Sequence, residues 1–290
     1  MSTDEVWQRI QRAKQKQKEF FERHPEARAK PEAERQPGQK HNAAYPRQFT
    51  RTSPFWPISP RGAKYRAYIE DMLIVTNPWG SLVYDGPALS TYDEDVLLAT
   101  LALMDAGEGH PTDERYAYRG PLMPVLRLMG YKAGGIGSND YQRVKKSLKR
   151  MGNASITLEY ANGSWEITPF LSKAIWDEDA KELHVICNPY FYEQYIAGAI
   201  TLLDVTERAR LKKPTSKALY RFIMSHKGNT WQGHMLTLAR AINLATGIPK
   251  YKIRDNIKRG MAELIEANVL SSQSQFIAKD TVKLERNPTG

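Results

Sequence analysis

Cysteine is nearly absent from this chain. Cys187 is the only one in 290 residues, so no intramolecular disulfide can form and a cysteine-rich zinc site is excluded. A reduced cytoplasmic compartment is the simplest expectation. Long apolar runs are also missing: no stretch reaches the roughly 18 residues that a transmembrane helix needs. The N-terminus is polar and charged, without the apolar centre of a secretory signal. Histidine is sparse and scattered, and no pair stands at metal-ligand spacing. A rolling-circle nickase needs clustered histidines near a nucleophilic tyrosine. A tyrosine recombinase needs His-x-x-Arg before its tyrosine, which His226 and His234 do not supply. The run Gly134-Gly135-Ile136-Gly137-Ser138 lacks the Lys-Ser/Thr ending of a phosphate-binding loop and reads as a connector. Asp177, Asp179, Asp204 and Glu207 read as surface carboxylates, and Cys187 as a core thiol in a strand pattern. These absences predict no catalysis, no cofactor and no metal. Acid is the minority charge: Asp and Glu total 32 against 42 Lys and Arg, a net charge of +10 that favours a polyanionic partner.

One basic helical pattern is present twice, 109 positions apart. The first copy is Arg143-Val144-Lys145-Lys146-Ser147-Leu148-Lys149-Arg150 and the second is Lys252-Ile253-Arg254-Asp255-Asn256-Ile257-Lys258-Arg259. Val144/Leu148 and Ile253/Ile257 stand at i and i+4 with basic residues on their flanks. Each copy follows a shorter apolar helix pattern ending in glycine. The pair predicts two helix-turn-helix units in one chain, with DNA as the partner.

Residues 3–23 read as an amphipathic helix, with Val6, Ile10, Ala13 and Phe20 near one face. Pro25, Pro31, Pro37, Pro46, Pro54, Pro57 and Pro60 break any long helix after it, so the expectation over 1–60 is a helix followed by a flexible Pro-rich arm. The folded body is expected from Arg66. Met72–Thr76 and Ser81–Tyr84 suggest short strands. Asp93–Asp105 reads as a helix whose Asp93, Glu94 and Asp95 suit its positive end. Ala106–Gly120 reads as a loop, and Pro121–Met129 as a short helix stopped by Gly130. Ser138-Asn139-Asp140 opens the first basic helix, which runs to about Met151. Ser155–Tyr160 and Trp165–Leu171 flank Asn162-Gly163, a tight-turn signal, and would form the wing. Asn162 and Ser164 would sit at its tip. Leu183–Cys187 adds a strand, and Pro189–Tyr195 with Leu202–Ala209 would make a helical bridge. The order then repeats: helices over Thr215–His226, Leu236–Ala245 and from Pro249 to about Asn268, then strands at Ser271–Ile277 and Thr281–Leu284. The expected fold class is α+β, two tandem winged-helix domains at 66–200 and 201–290 behind the flexible N-terminal arm.

A recognition helix needs an apolar stripe to anchor it and a polar face to meet the major groove. The residues expected at DNA are Asn139, Gln142, Arg143, Lys145, Lys146, Lys149 and Arg150 in the first unit. In the second they are Lys250, Tyr251, Lys252, Arg254, Asn256, Lys258 and Arg259. Lys212, Lys213 and Lys217 add charge at the start of the second unit. From Leu211 to Gly260 the sole acid is Asp255, whereas a solvated helical face usually mixes signs.

Two further segments carry a family resemblance. They are Tyr84-x-Gly86-x-x-Leu89-x-x-x-Asp93-Glu94-Asp95-x-Leu97 and Lys217-Ala218-Leu219-Tyr220-Arg221-Phe222-x-x-Ser225-His226. Together with the basic helices, over Arg66–Glu285, the chain resembles the TrfA-type replication initiators of broad-host-range plasmids, within the wider plasmid Rep initiator group. The Pro-rich stretch and the glycine-rich connector have no match in it. The resemblance implies binding to direct repeats (iterons) at a plasmid origin, opening of an adjacent AT-rich segment, and recruitment of the host initiator and replicative helicase. It also implies copy-number control with a possible homodimer, in the bacterial cytoplasm and without a membrane. Three other readings stay open: a winged-helix transcriptional regulator, a protein-docking module whose charge is incidental, and a nickase.

Overall fold

The computed structural model describes residues 41–58, 67–78, 80–110, 112 and 116–287. The helix expected over 3–23 lies outside them. Strand β1 (Asn42–Pro46), helix α1 (Arg47–Arg51) and strand β2 (Phe55–Trp56) come first. They correct the expectation of a flexible arm up to residue 60. Ala43, Tyr45, Phe49 and Phe55 are all fully buried. Phe49 lies 5.6 Å from Phe170, ring to ring, and Phe55 lies 5.8 Å from it. Two aromatic rings in one core are enough to fix a short, proline-punctuated segment.

Strands β3 (Tyr68–Asn77) and β4 (Gly80–Pro87) form an antiparallel hairpin, and β5 (Leu89–Ser90) leads into α2 (Thr91–Asp105). Helix α2 starts at a capping box: the Ser90 N–H donates to Asp93 Oδ2 at 2.7 Å, and the Ser90 hydroxyl accepts from the Asp93 N–H. Apart from Tyr92, Met104 and Asp105, every residue of α2 is buried, which makes it the central helix.

Then come β6 (Ala117–Pro121), α3 (Leu122–Leu128), α4 (Ser138–Gly152), β7 (Ser155–Tyr160), β8 (Trp165–Pro169), β9 (Leu171–Asp177) and β10 (Glu182–Cys187). The strand β6 lies where a loop was expected. It pairs with β10, and β10 with β9, in the order β6-β10-β9. The hairpin β7–β8 joins the other sheet, β3-β4-β7-β8, through β4. The wing is therefore β9–β10 and not the hairpin that carries Asn162-Gly163. A tight turn specifies a hairpin but not the sheet that the hairpin joins.

Helix α5 (Pro189–Ile196), strand β11 (Ile200–Asp204) and helix α6 (Val205–Ala209) link the two units. The expected helix over Leu202–Ala209 is half strand: β11 pairs antiparallel with β1, from Pro46↔Ile200 to Asn42↔Asp204. Asp204 then caps α6, accepting from the Thr206 and Glu207 N–H groups.

The second unit contains α7 (Pro214–Met224), β12 (Thr230–His234), α8 (Met235–Ala241), α9 (Lys250–Glu266), β13 (Gln275–Ala278) and β14 (Thr281–Glu285). Its sheet runs β12-β14-β13. Helix, strand, helix, helix and hairpin, with the last strand central, is the arrangement of α2, β6, α3, α4, β9 and β10 as well. Two winged-helix units thus follow one another, and the first carries β7–β8 as an insertion. Helix α9 crosses α7 closely at Gly260, where a Cβ would lie 2.8 Å from Leu219 Cδ1.

Candidate nucleic-acid interface

Helices α4 and α9 hold the third-helix position of their units. In α4 the buried residues Val144, Ser147, Leu148 and Met151 anchor one side. Asn139, Gln142, Lys145, Lys146 and Lys149 are exposed on the other. Five of the seven residues expected at DNA in the first unit therefore stand free on one face.

The two arginines of α4 turn toward α2 instead. Arg143 is half exposed, donates through Nη1 to the Tyr131 hydroxyl at 3.1 Å, and stacks 4.6 Å from the Tyr92 ring centre. Arg150 donates through Nε to Asp93 Oδ1 at 3.1 Å and forms a closer second contact through Nη2. Arg150 thus neutralises a buried carboxylate. At 100° per residue, positions 143 and 150 share the flank that faces α2.

In α9, Ile253, Ile257, Gly260, Met261 and Leu264 are buried. Tyr251 is 67% exposed, and Lys250, Lys252, Lys258 and Arg259 are exposed too. Arg254 is mostly covered: it pairs with Asp280 at 3.3 Å and lies 4.8 Å from the Phe276 ring centre. Lys250 lies 3.5 Å from the same Asp280, and Lys258 lies 5.8 Å from Phe276. Arg259 pairs with Asp255 one turn away. Asn256 is half-buried. The turn of the second wing thus steadies the basic side of α9.

The true wing adds residues that sequence reasoning missed. Between α4 and β9 lies an open groove of about 980 Å³ with Leu122, Val144, Leu148 and Leu171 in its walls. Lys145 and Lys149 line it from the helix, and Lys173 and Lys181 from the wing. Trp176 packs edge-on against Tyr141 at 6.0 Å and donates through its indole N–H to Glu178 at 2.6 Å. The signal available for Lys173 and Lys181 was their place on either side of the Asp177–Ala180 turn. In the second unit, Lys279 is exposed at the corresponding turn.

No group of three His, Cys, Asp or Glu among the described residues is placed to hold a metal ion. No described helix is long and apolar enough to cross a membrane. Cys187 is buried, and burial pushes its thiol well above the usual range.

Residues 84–224 match the family model described as "Initiator Replication protein, WH1". No curated protein matches the chain. Among solved structures, domains 2 and 3 of RctB are similar at 13% identity and a TM-score of 0.55, covering 83% of this chain and 98% of that one. The Pi initiator protein in complex with iteron DNA is similar at 16% identity and a TM-score of 0.49, covering 68% of this chain and 91% of that one.

Proposed function

We propose, from the match of residues 84–224 to the initiator replication protein WH1 model, that the chain initiates plasmid replication by binding direct repeats at its origin. One observation carries the reading: the winged-helix unit occurs twice, and each copy turns a lysine-rich third helix outward. Two units on one chain reach two major-groove segments of one repeat, replacing the symmetry of a dimeric repressor. Asn139, Gln142, Lys145, Lys146 and Lys149 serve the first segment. Lys250, Tyr251, Lys252, Asn256, Lys258 and Arg259 serve the second, while Arg254 and Arg143 hold neighbouring side chains in place. Lysines supply phosphate contacts and salt dependence, and Asn139, Gln142 and Asn256 have the chemistry to read base edges.

The work is binding and deformation rather than catalysis. Several chains bound in line would bend the duplex at a cost on the order of 1–6 kcal/mol, which multiple contacts offset. Opening of an AT-rich segment and recruitment of host initiator and helicase then follow, in the cytoplasm. The N-terminal segment 1–40 is assigned by this reading to meeting such partners, and the two DNA-reading domains comprise 66–200, joined by 42–56, and 201–290.

Footprinting of the purified protein on its own replicon at two salt concentrations tests this. Several evenly spaced protected repeats, lost steeply as salt rises, support it. Protection of a single palindrome over a promoter makes the protein a regulator instead. Combining Lys146→Ala with Arg259→Ala should weaken repeat binding far more than Lys14→Ala, and equal effects would sink the two-helix reading.

A further inference from the structure

Arg208, between the two units, and Arg221, in the second, are both fully buried, at 1% and 0% exposure. Both reach into the first unit. Arg208 donates through Nε to Asp95 Oδ1 at 2.8 Å and through Nη2 to Glu94 Oε2 at 2.6 Å. Its Nη1 donates to the Lys217 carbonyl at 2.8 Å. Arg221 Nη1 donates to both oxygens of Glu94, at 2.8 and 2.9 Å. Lys217 completes the set with Asp95. Burial alone would lower the Arg208 pKa, but Glu94 and Asp95 more than offset it and hold the guanidinium charged.

One planar group thus joins α2, α6 and α7. A buried ion pair contributes little net stability, since desolvation cancels most of the attraction, but its bonds are directional. An apolar contact tolerates a slide of an ångström or two; a guanidinium with three fixed acceptors does not. The consequence reaches both recognition helices. Ser147 and Arg150 of α4 bond to Asp93 on the same end of α2. Helix α9 is tied to the start of α7, because Glu263 accepts from the Lys212 and Lys213 N–H groups at 2.7 and 3.1 Å.

We infer that Glu94, Asp95, Arg208 and Arg221 are positioning residues that fix the separation and angle of α4 and α9, and so set the base-pair spacing at which the chain reads its DNA. The spacing half of this rests on the reading of both helices as DNA-facing; the orientation half does not.

The test uses the full chain in a Cys187→Ser background with spin labels at Asn153→Cys and Ala262→Cys, both exposed and outside the proposed contacts. Without DNA, the parent should give one narrow distance distribution. Arg208→Lys keeps the charge but not the fork, and should broaden the distribution at least about twofold, as should Arg208→Met. A distribution left narrow in a folded Arg208→Lys protein overturns the inference. A second arm uses the footprinted repeat with one to four base pairs inserted between its two contacted segments, each adding about 3.4 Å and roughly a tenth of a turn. The parent should lose at least about tenfold in affinity at two inserted pairs, because a linked second contact fails when geometry forbids it. Arg208→Lys should lose markedly less. Equal losses would overturn the spacing role. Absence of any footprint for the parent would defeat the proposed function, while the label distances would still decide the orientation.

Discussion

Arg150 and Asp93 face each other from two helices, α4 and α2, and the carboxylate between them is fully buried. A side chain in the last turn of a basic helix therefore serves the core. Removing one partner of a buried pair leaves the other charge uncompensated, at a cost of about 3–5 kcal/mol. Arg150→Ala should show that loss in denaturant unfolding. Lys146 is exposed on the outer face of α4, so Lys146→Ala should unfold like the parent and still bind DNA more weakly.

Lys145 and Lys149 line the helix side of the wing groove. If each neutralises one phosphate, replacing both with alanine should reduce the salt slope of DNA binding by about 1.8, at 0.9 per contact. Titrations across a series of salt concentrations measure this. A weaker affinity with an unchanged slope would assign the two lysines a role other than phosphate contact.

Two glycines in the third helices of the two units should respond oppositely to alanine. At Gly260 a Cβ meets Leu219 Cδ1 at 2.8 Å and Thr215 Cγ2 at 3.1 Å, whereas at Gly152 nothing lies within 4 Å. Gly260→Ala should overpack the α7–α9 crossing and cost about 1–3 kcal/mol. Gly152→Ala should gain a few tenths to about 1 kcal/mol by restricting the unfolded chain. Melting curves for the two variants decide it.

Burial pushes the Asp105 carboxyl up to about 6, although the Ala44 N–H and the Tyr116 hydroxyl donate to it at 2.7 and 3.1 Å. An unfolded aspartate titrates near about 3.9. The folded protein thus binds this proton more tightly than the unfolded chain. The stability linked to it is complete below about pH 4 and is lost as pH rises through about 6. Asp105→Asn should remove that fall from a plot of melting temperature against pH, and a variant that keeps the parent's fall would place the titration on another group.

The third helices were legible because their apolar residues recur at i and i+4 and their flanks are basic. That same pattern hid Arg150, since helical spacing places it on a flank without saying what lies opposite. Strand β1 was illegible because Asn42-Ala43-Ala44-Tyr45-Pro46 has the composition of a linker, and its partner β11 lies far along the chain. The wing was misplaced because Asn162-Gly163 is a stronger local turn signal than Asp177-Glu178-Asp179-Ala180. Pairing of β10 with β6 across 61 or more residues has no local signature.

The pairing of β1 with β11 has a consequence for synthesis. Asn42 leaves the ribosome about 160 residues before Asp204, its register partner. At roughly 5–20 residues per second, that delay is on the order of 8–32 s. Through that interval β1 lacks its neighbouring strand, and the first winged helix acquires its full complement of strands as the second begins to emerge.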